Sequence, residues 1–140
     1  MEVEAAVRSI THEKERRPGT LQAAISRHVV RLVAQYTGRG PTKARTTIRD
    51  NVVLCVTQDN MTKAERRLVE EGEEDTVVSV RRRFQTTMAE ELIAGIERET
   101  GCRVVSFLSD HDAETDHAIE VFVLDRPPSR PVADDPPHAA

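Results

Sequence analysis

The break at Gly38-Arg39-Gly40-Pro41 constrains this chain most, because the hydrophobic period is different on its two sides. Before it, Leu21, Ala24, Ile25, His28, Val29, Leu32, Val33 and Tyr36 recur at the spacing of one buried helical face. After it, Ala44, Thr46 and Ile48 alternate with Arg45, Thr47 and Arg49, the pattern of a half-exposed strand. A helix must therefore give way to a strand within a few residues. Gly38 suits the left-handed conformation that ends a helix, and Gly40-Pro41 favours a turn over further helix. Thr20 is placed to cap the helix at its start.

Asp50-Asn51 tolerates the positive φ of a tight hairpin turn, and Val52-Val53-Leu54-Cys55-Val56-Thr57 reads as a returning strand that is apolar on both faces. Thr62-Lys63-Ala64-Glu65 fits a capping box for a short helix to about Glu71. Past Gly72 and the acidic run Glu73-Glu74-Asp75, a longer helix carries Val77, Val80, Phe84, Met88, Leu92, Ile93 and Ile96 and ends at Thr100-Gly101. Val104–Leu108 and Ala118–Leu124 are two further strands, with residues 109–117 as a polar loop between them. The order α-β-β-α-α-β-β predicts an α+β domain with a four-stranded, mainly antiparallel sheet and packed helices.

With only 3% aromatic residues, the core must be built from Val, Leu, Ile and Ala. Residues 1–19 read as a flexible arm, 20–125 as one domain, and 126–140, rich in proline, as a disordered tail. In the last two strands apolar residues fall on both alternation sets: Val105 and Phe107 against Val104 and Leu108, Phe122 and Leu124 against Val121 and Val123. One helical layer cannot cover two sheet faces. Either the helices divide between the faces or a second subunit covers one of them, so a homodimer or larger assembly is expected.

Residues 20–49 hold six Lys or Arg and no Asp or Glu, although the whole chain carries a net charge of −4. That asymmetry points to an anionic partner or an internal acidic face. Arg39, Lys43, Arg45 and Arg49 are the candidate anion- or partner-binding residues, around the turn made by Gly38, Gly40 and Pro41. Neither the GxxxxGK[ST] spacing of a nucleotide loop nor the GxxG loop of KH domains is present. The alternative is that the glycines and proline only make the turn, while the basic residues solvate it or pair with Glu73, Glu74 and Asp75.

Other constellations carry less. Asp110, His111, Asp112, Glu114, Asp116 and His117 lack calcium-loop or HExxH spacing and read as a solvated loop, so no metal and no cofactor are expected. Cys55 and Cys102 stand in or beside strand-like text and read as buried free thiols. His28 reads as a core histidine and Arg81-Arg82-Arg83 as a solvated helix face. Ser106 and Ser109 have no nucleophile elbow, and no nucleophile–base pair emerges, so a non-catalytic role is expected. The shortage of rings to stack bases disfavours nucleic acid as a partner. The N-terminus lacks signal-peptide character and no apolar run reaches the roughly 18 residues of a membrane span, which predicts a cytoplasmic protein without direct membrane insertion.

Three blocks, Tyr36 to Arg45, Phe84-Gln85-Thr86-Thr87-Met88-Ala89-Glu90-Glu91-Leu92, and Val104 to Asp110 with the strand Ala118 to Leu124, resemble the signature of a family of small bacterial proteins. The family is described as a soluble component of a sodium-translocating, membrane-potential-generating system (MpsC or YbcI-like), and the resemblance runs from about Thr20 to Asp125. It implies a cytoplasmic accessory protein, encoded beside membrane subunits concerned with cation movement or inorganic-carbon uptake, with a protein partner at a membrane complex that could hold it at the inner face. It carries over no catalytic residues. Two readings follow from different classes. One is an accessory interaction module; the other is a regulatory protein that binds an anion or nucleic acid through the turn 38–45.

Overall fold

The computed structural model describes residues 19–129. Within them the elements are α1 (Leu21–Thr37), β1 (Lys43–Arg49), β2 (Val52–Gln58), α2 (Lys63–Glu70), α3 (Glu74–Thr100), β3 (Val104–Asp112) and β4 (His117–Leu124). The four strands form one sheet in the order β1-β2-β4-β3, with every neighbouring pair antiparallel. The fold is α+β, in the expected order. Of the arm expected at residues 1–19 and the tail expected at 126–140, residues 1–18 and 130–140 lie outside the described residues.

Local chemistry places the helix ends. The Thr20 hydroxyl accepts from the Ala23 N–H, and Gly38 closes α1 at φ 79° while its N–H reaches the Ala34 carbonyl. The capping box of α2 is complete: Glu65 N–H donates to the Thr62 hydroxyl, and the Thr62 N–H donates to the Glu65 carboxylate. Asp50 takes the positive φ, 52°, of the β1–β2 turn.

The core lies between the sheet and α1 with α3. Leu21, Ile25, Val29, Leu32 and Val33 of α1 and Met88, Leu92 and Ile96 of α3 pack on Ile48, Val53, Cys55, Phe122 and Leu124 of the sheet. Full burial of each such side chain contributes about 1.5–3 kcal/mol. Burial also pushes the Cys55 thiol up to about 11, as suits an inert core thiol.

Two details differ from the sequence reading. β3 continues through Asp112, because Ser109, Asp110, His111 and Asp112 pair with Glu120, Ile119, Ala118 and His117, so the loop shrinks to residues 113–116. Polar residues on a ladder are still a strand. In addition, a bulge between Val104 and Ser106 makes Val105 an extra residue, which brings Val104 and Phe107 to the helix side together. Phe107 stacks on Phe122 with ring centroids 5.0 Å apart. The chain past β4 also stays attached: the Ser129 N–H donates to the Thr100 carbonyl, and Arg126 donates to that of Gly101.

The α1–α3 contact depends on Gly95. A Cβ there would overlap the buried His28 ring. The His28 Nε2–H donates to the Glu91 carbonyl at 3.1 Å, and burial, partly offset by that bond, lowers the imidazole pKa and keeps it neutral. Gly95→Ala gains about 1 kcal/mol of helix propensity but displaces this ring, at an overpacking cost of about 1–3 kcal/mol plus a hydrogen bond of about 1 kcal/mol. Urea unfolding should show net destabilisation of about 1–3 kcal/mol, and the same substitution in a His28→Ala background should become neutral or stabilising.

Candidate functional site

Helices on one side leave the other side of the sheet open among the described residues. Its side chains stand in four rows, read across β1, β2, β4 and β3: Lys43–Gln58–His117–Asp112, Arg45–Val56–Ile119–Asp110, Thr47–Leu54–Val121–Leu108 and Arg49–Val52–Val123–Ser106. The middle of this face is aliphatic, its β1 edge is basic and its β3 edge is acidic. Leu108 is 62% exposed and Val105, on the bulge, 60%, while Val52 and Ile119 are also exposed. A contiguous apolar surface framed by charges is the signature of a contact surface. The apolar residues on both alternation sets of β3 and β4 required cover on both faces, which the helices give on one; the bulge and the cross-sheet rows could not be read without the register.

The four candidate basic residues divide. Lys43, Arg45 and Arg49 belong to the open face, along the β1 edge. Arg39 turns the other way: its guanidinium meets Asp59 at 2.7 Å and donates to the Met61 carbonyl. Asp59 also receives Arg66, which lies 3.7 Å from Asp116. Gly40 lies against Val30 of α1, and Pro41 is buried, so the turn is packed and ion-paired through Asp59, not through residues 73–75.

Beneath the sheet's helix side, at the end near α2, polar side chains cluster around a cavity of about 20 Å³ lined by Thr57, Asn60, Arg81, Gln85, His111 and Glu120, among others. Arg81, expected on a solvated face, is 6% exposed. It grips both carboxylate oxygens of Glu65 at 2.8 Å and donates to the Asn60 carbonyl. The spacing Val77, Arg81, Gln85, Met88, Leu92 was the available signal that Arg81 shares the buried stripe of α3. Asn60 donates to the Asp116 carbonyl, and the Asp116 carboxylate takes the His111 Nε2 at 2.8 Å and the Met61 N–H at 3.0 Å. Burial by itself would raise Asp116, but the His111 and Met61 hydrogen bonds, with Arg81 nearby, outweigh it and hold the carboxyl below its ordinary range.

Of the six residues weighed as metal ligands, His111 and Asp116 point inward, while Asp110 and Asp112 are exposed on the opposite face. Among the described residues no three His, Cys, Asp or Glu side chains converge on a common point. Glu120 Oε2 and His111 Nδ1 are buried without a hydrogen-bond partner among the described residues.

Two expectations follow. Arg39→Gln should cost about 1 kcal/mol in chemical unfolding by removing its bonds to Asp59 and to the Met61 carbonyl, whereas Arg45→Gln and Arg49→Gln should stay within about ±0.5 kcal/mol. Burial pushes the Glu120 carboxyl from 4.5 up to about 7. A raised folded-state pKa means that the folded protein holds the proton longer, so stability falls as pH rises from 4.5 to about 7. Glu120→Gln removes that slope, and the gap between variant and wild type should widen across this window toward about 3 kcal/mol in urea titrations at successive pH values.

No helix among the described residues is long and apolar enough to cross a membrane. No curated protein and no solved structure matches the chain. The profile of the family described as Na+-translocating membrane potential-generating system (MpsC) matches residues 17–126. That span takes in every element from α1 to β4 and most of the 140 residues, and the chain therefore belongs to the MpsC family.

Proposed function

We propose that this chain is a non-catalytic accessory component that works by protein contact in the membrane potential-generating system of its family, in a setting of ion or inorganic-carbon transport. It acts from the cytoplasmic side and is held at the membrane by protein subunits, without inserting itself. The observation that carries this reading is the open sheet face, where an aliphatic centre spanning β2, β4 and β3 lies between a basic and an acidic edge. Leaving several aliphatic side chains in water forgoes about 25 cal/mol for each Å² that a partner could cover. Charged borders then fix which surface fits.

A second reading rests on Arg45 and Arg49, which share the exposed β1 edge and could hold an anionic ligand. Phosphate contacts would show as a steep loss of affinity with salt.

The test is recovery of partners by the tagged full-length chain from its native cells, quantified by mass spectrometry. Leu108→Glu places a charge in the aliphatic row without touching the core on the helix side. It should reduce recovery of membrane subunits by on the order of tenfold or more, with the folded fraction unchanged by circular dichroism. Unchanged recovery would remove the open face from the function.

A further inference from the structure

We propose that the open sheet face takes a second copy of this chain, docked face to face about a twofold axis parallel to the strands. This rests on the reading of that face as an interaction surface and names its occupant: the dimer is the form that the membrane subunits bind, so Leu108→Glu lowers their recovery by separating the two copies. The argument comes from the rows. Arg45 pairs across the ladder with Val56, Val56 with Ile119, and Ile119 with Asp110, so Arg45 and Asp110 stand at the same height on opposite edges. Three strand spacings of about 4.8 Å separate them, too far for contact within one chain.

A twofold axis parallel to the strands preserves height and exchanges the edges. It sets Arg45 of each copy opposite Asp110 of the other, and by the same operation sets the basic β1 edge over Asp112. The row Thr47–Leu54–Val121–Leu108 then meets its own reverse, with Leu54 over Val121 and Val121 over Leu54. A twofold axis across the strands would instead lay β1 on β1 with the heights reversed and bring Arg45 of one copy toward Arg49 of the other. Charge thus selects one of the two face-to-face dimers. Aligned sheets pack about 10 Å apart with a rotation of about −30°, a gap that an arginine on one edge and an aspartate on the other can bridge.

The contact is isologous, and each charge pair occurs twice. Four strands, paired over about seven residues, give a plane of roughly 450 Å² per copy, about 900 Å² in all before side-chain relief. That is at the low end for specific interfaces, so the dimer should depend on concentration.

Sedimentation velocity on the full-length chain, from low micromolar to several hundred micromolar, provides the test. The wild type should pass from a 15.7 kDa species to one of twice that mass. Arg45→Glu alone and Asp110→Arg alone should each weaken association by about tenfold or more, since each creates two like-charge contacts. The double variant should recover to within about threefold of wild type. Mixing the two single variants should recover it as well, as a heterodimer, because both contacts then become attractive. Effects confined to one chain cannot produce rescue by mixing.

A wild type that stays at 15.7 kDa throughout would overturn the proposal and leave a heterologous subunit to cover the face. So would single variants that associate like wild type, or a mixture that fails to recover. A monomer whose Leu108→Glu variant still loses membrane subunits would sink the second copy alone. Unchanged subunit recovery by Leu108→Glu, beside an intact charge-swap pattern, would sink the functional reading alone.

Discussion

Everything in this molecule follows from a mismatch between sheet and helices. A strand sends alternate side chains to opposite faces, and β2 and β4 carry aliphatic residues at both phases, whereas α1 and α3 cover one face only. On the covered side this gives a core centred on Val53, Phe122, Leu92 and Ile25, all without solvent exposure. On the other side, Leu54, Val56, Ile119 and Val121 line a surface that the described fold does not bury. Because the strands register so regularly, that surface is ordered into rows, and its charge pattern is set by the two edge strands.

Charge serves two purposes in the structure, distinguished by burial. Arg39 with Asp59 joins two loops, Arg81 with Glu65 joins α3 to α2, and His111 with Asp116 holds the β3–β4 loop to β3. The Arg81–Glu65 pair is nearly buried, and removing one partner would strand the other, so it acts as a positional lock. Arg45, Arg49 and Asp110 stand exposed on the open face, Asp110 accepting through one carboxylate oxygen from the His111 N–H beside it. They are available to choose what binds.

The parts of the fold legible in the sequence were those set by local chemistry. Thr20, Thr62 with Glu65, Gly38 and Gly101 marked helix ends because caps and left-handed residues act over three or four positions. Two alternation phases in β4 announced apolar residues on both faces for the same local reason, but not what would cover the second. What stayed hidden depends on distant partners. Arg39 looked like an exposed cation beside its glycines because Asp59 lies twenty positions further on, and the Val105 bulge has no glycine to betray it. Arg81 looked solvated within its basic triplet, although its helical spacing from Val77 and Gln85 placed it inward. The candidate site was therefore half visible: Arg45 and Arg49 could be named, but their alignment with Asp110 required the pairing of all four strands.

The most direct measurement of the proposed face-to-face contact is an isotope-filtered methyl NOE experiment on a mixture of labelled and unlabelled full-length chain at a concentration where it is associated. The account predicts intermolecular contacts between the Leu54 and Val121 methyl groups, with Leu108 of one copy near the Thr47 methyl of the other. Intermolecular contacts arising only from the helical side, or none from the open face, would contradict it.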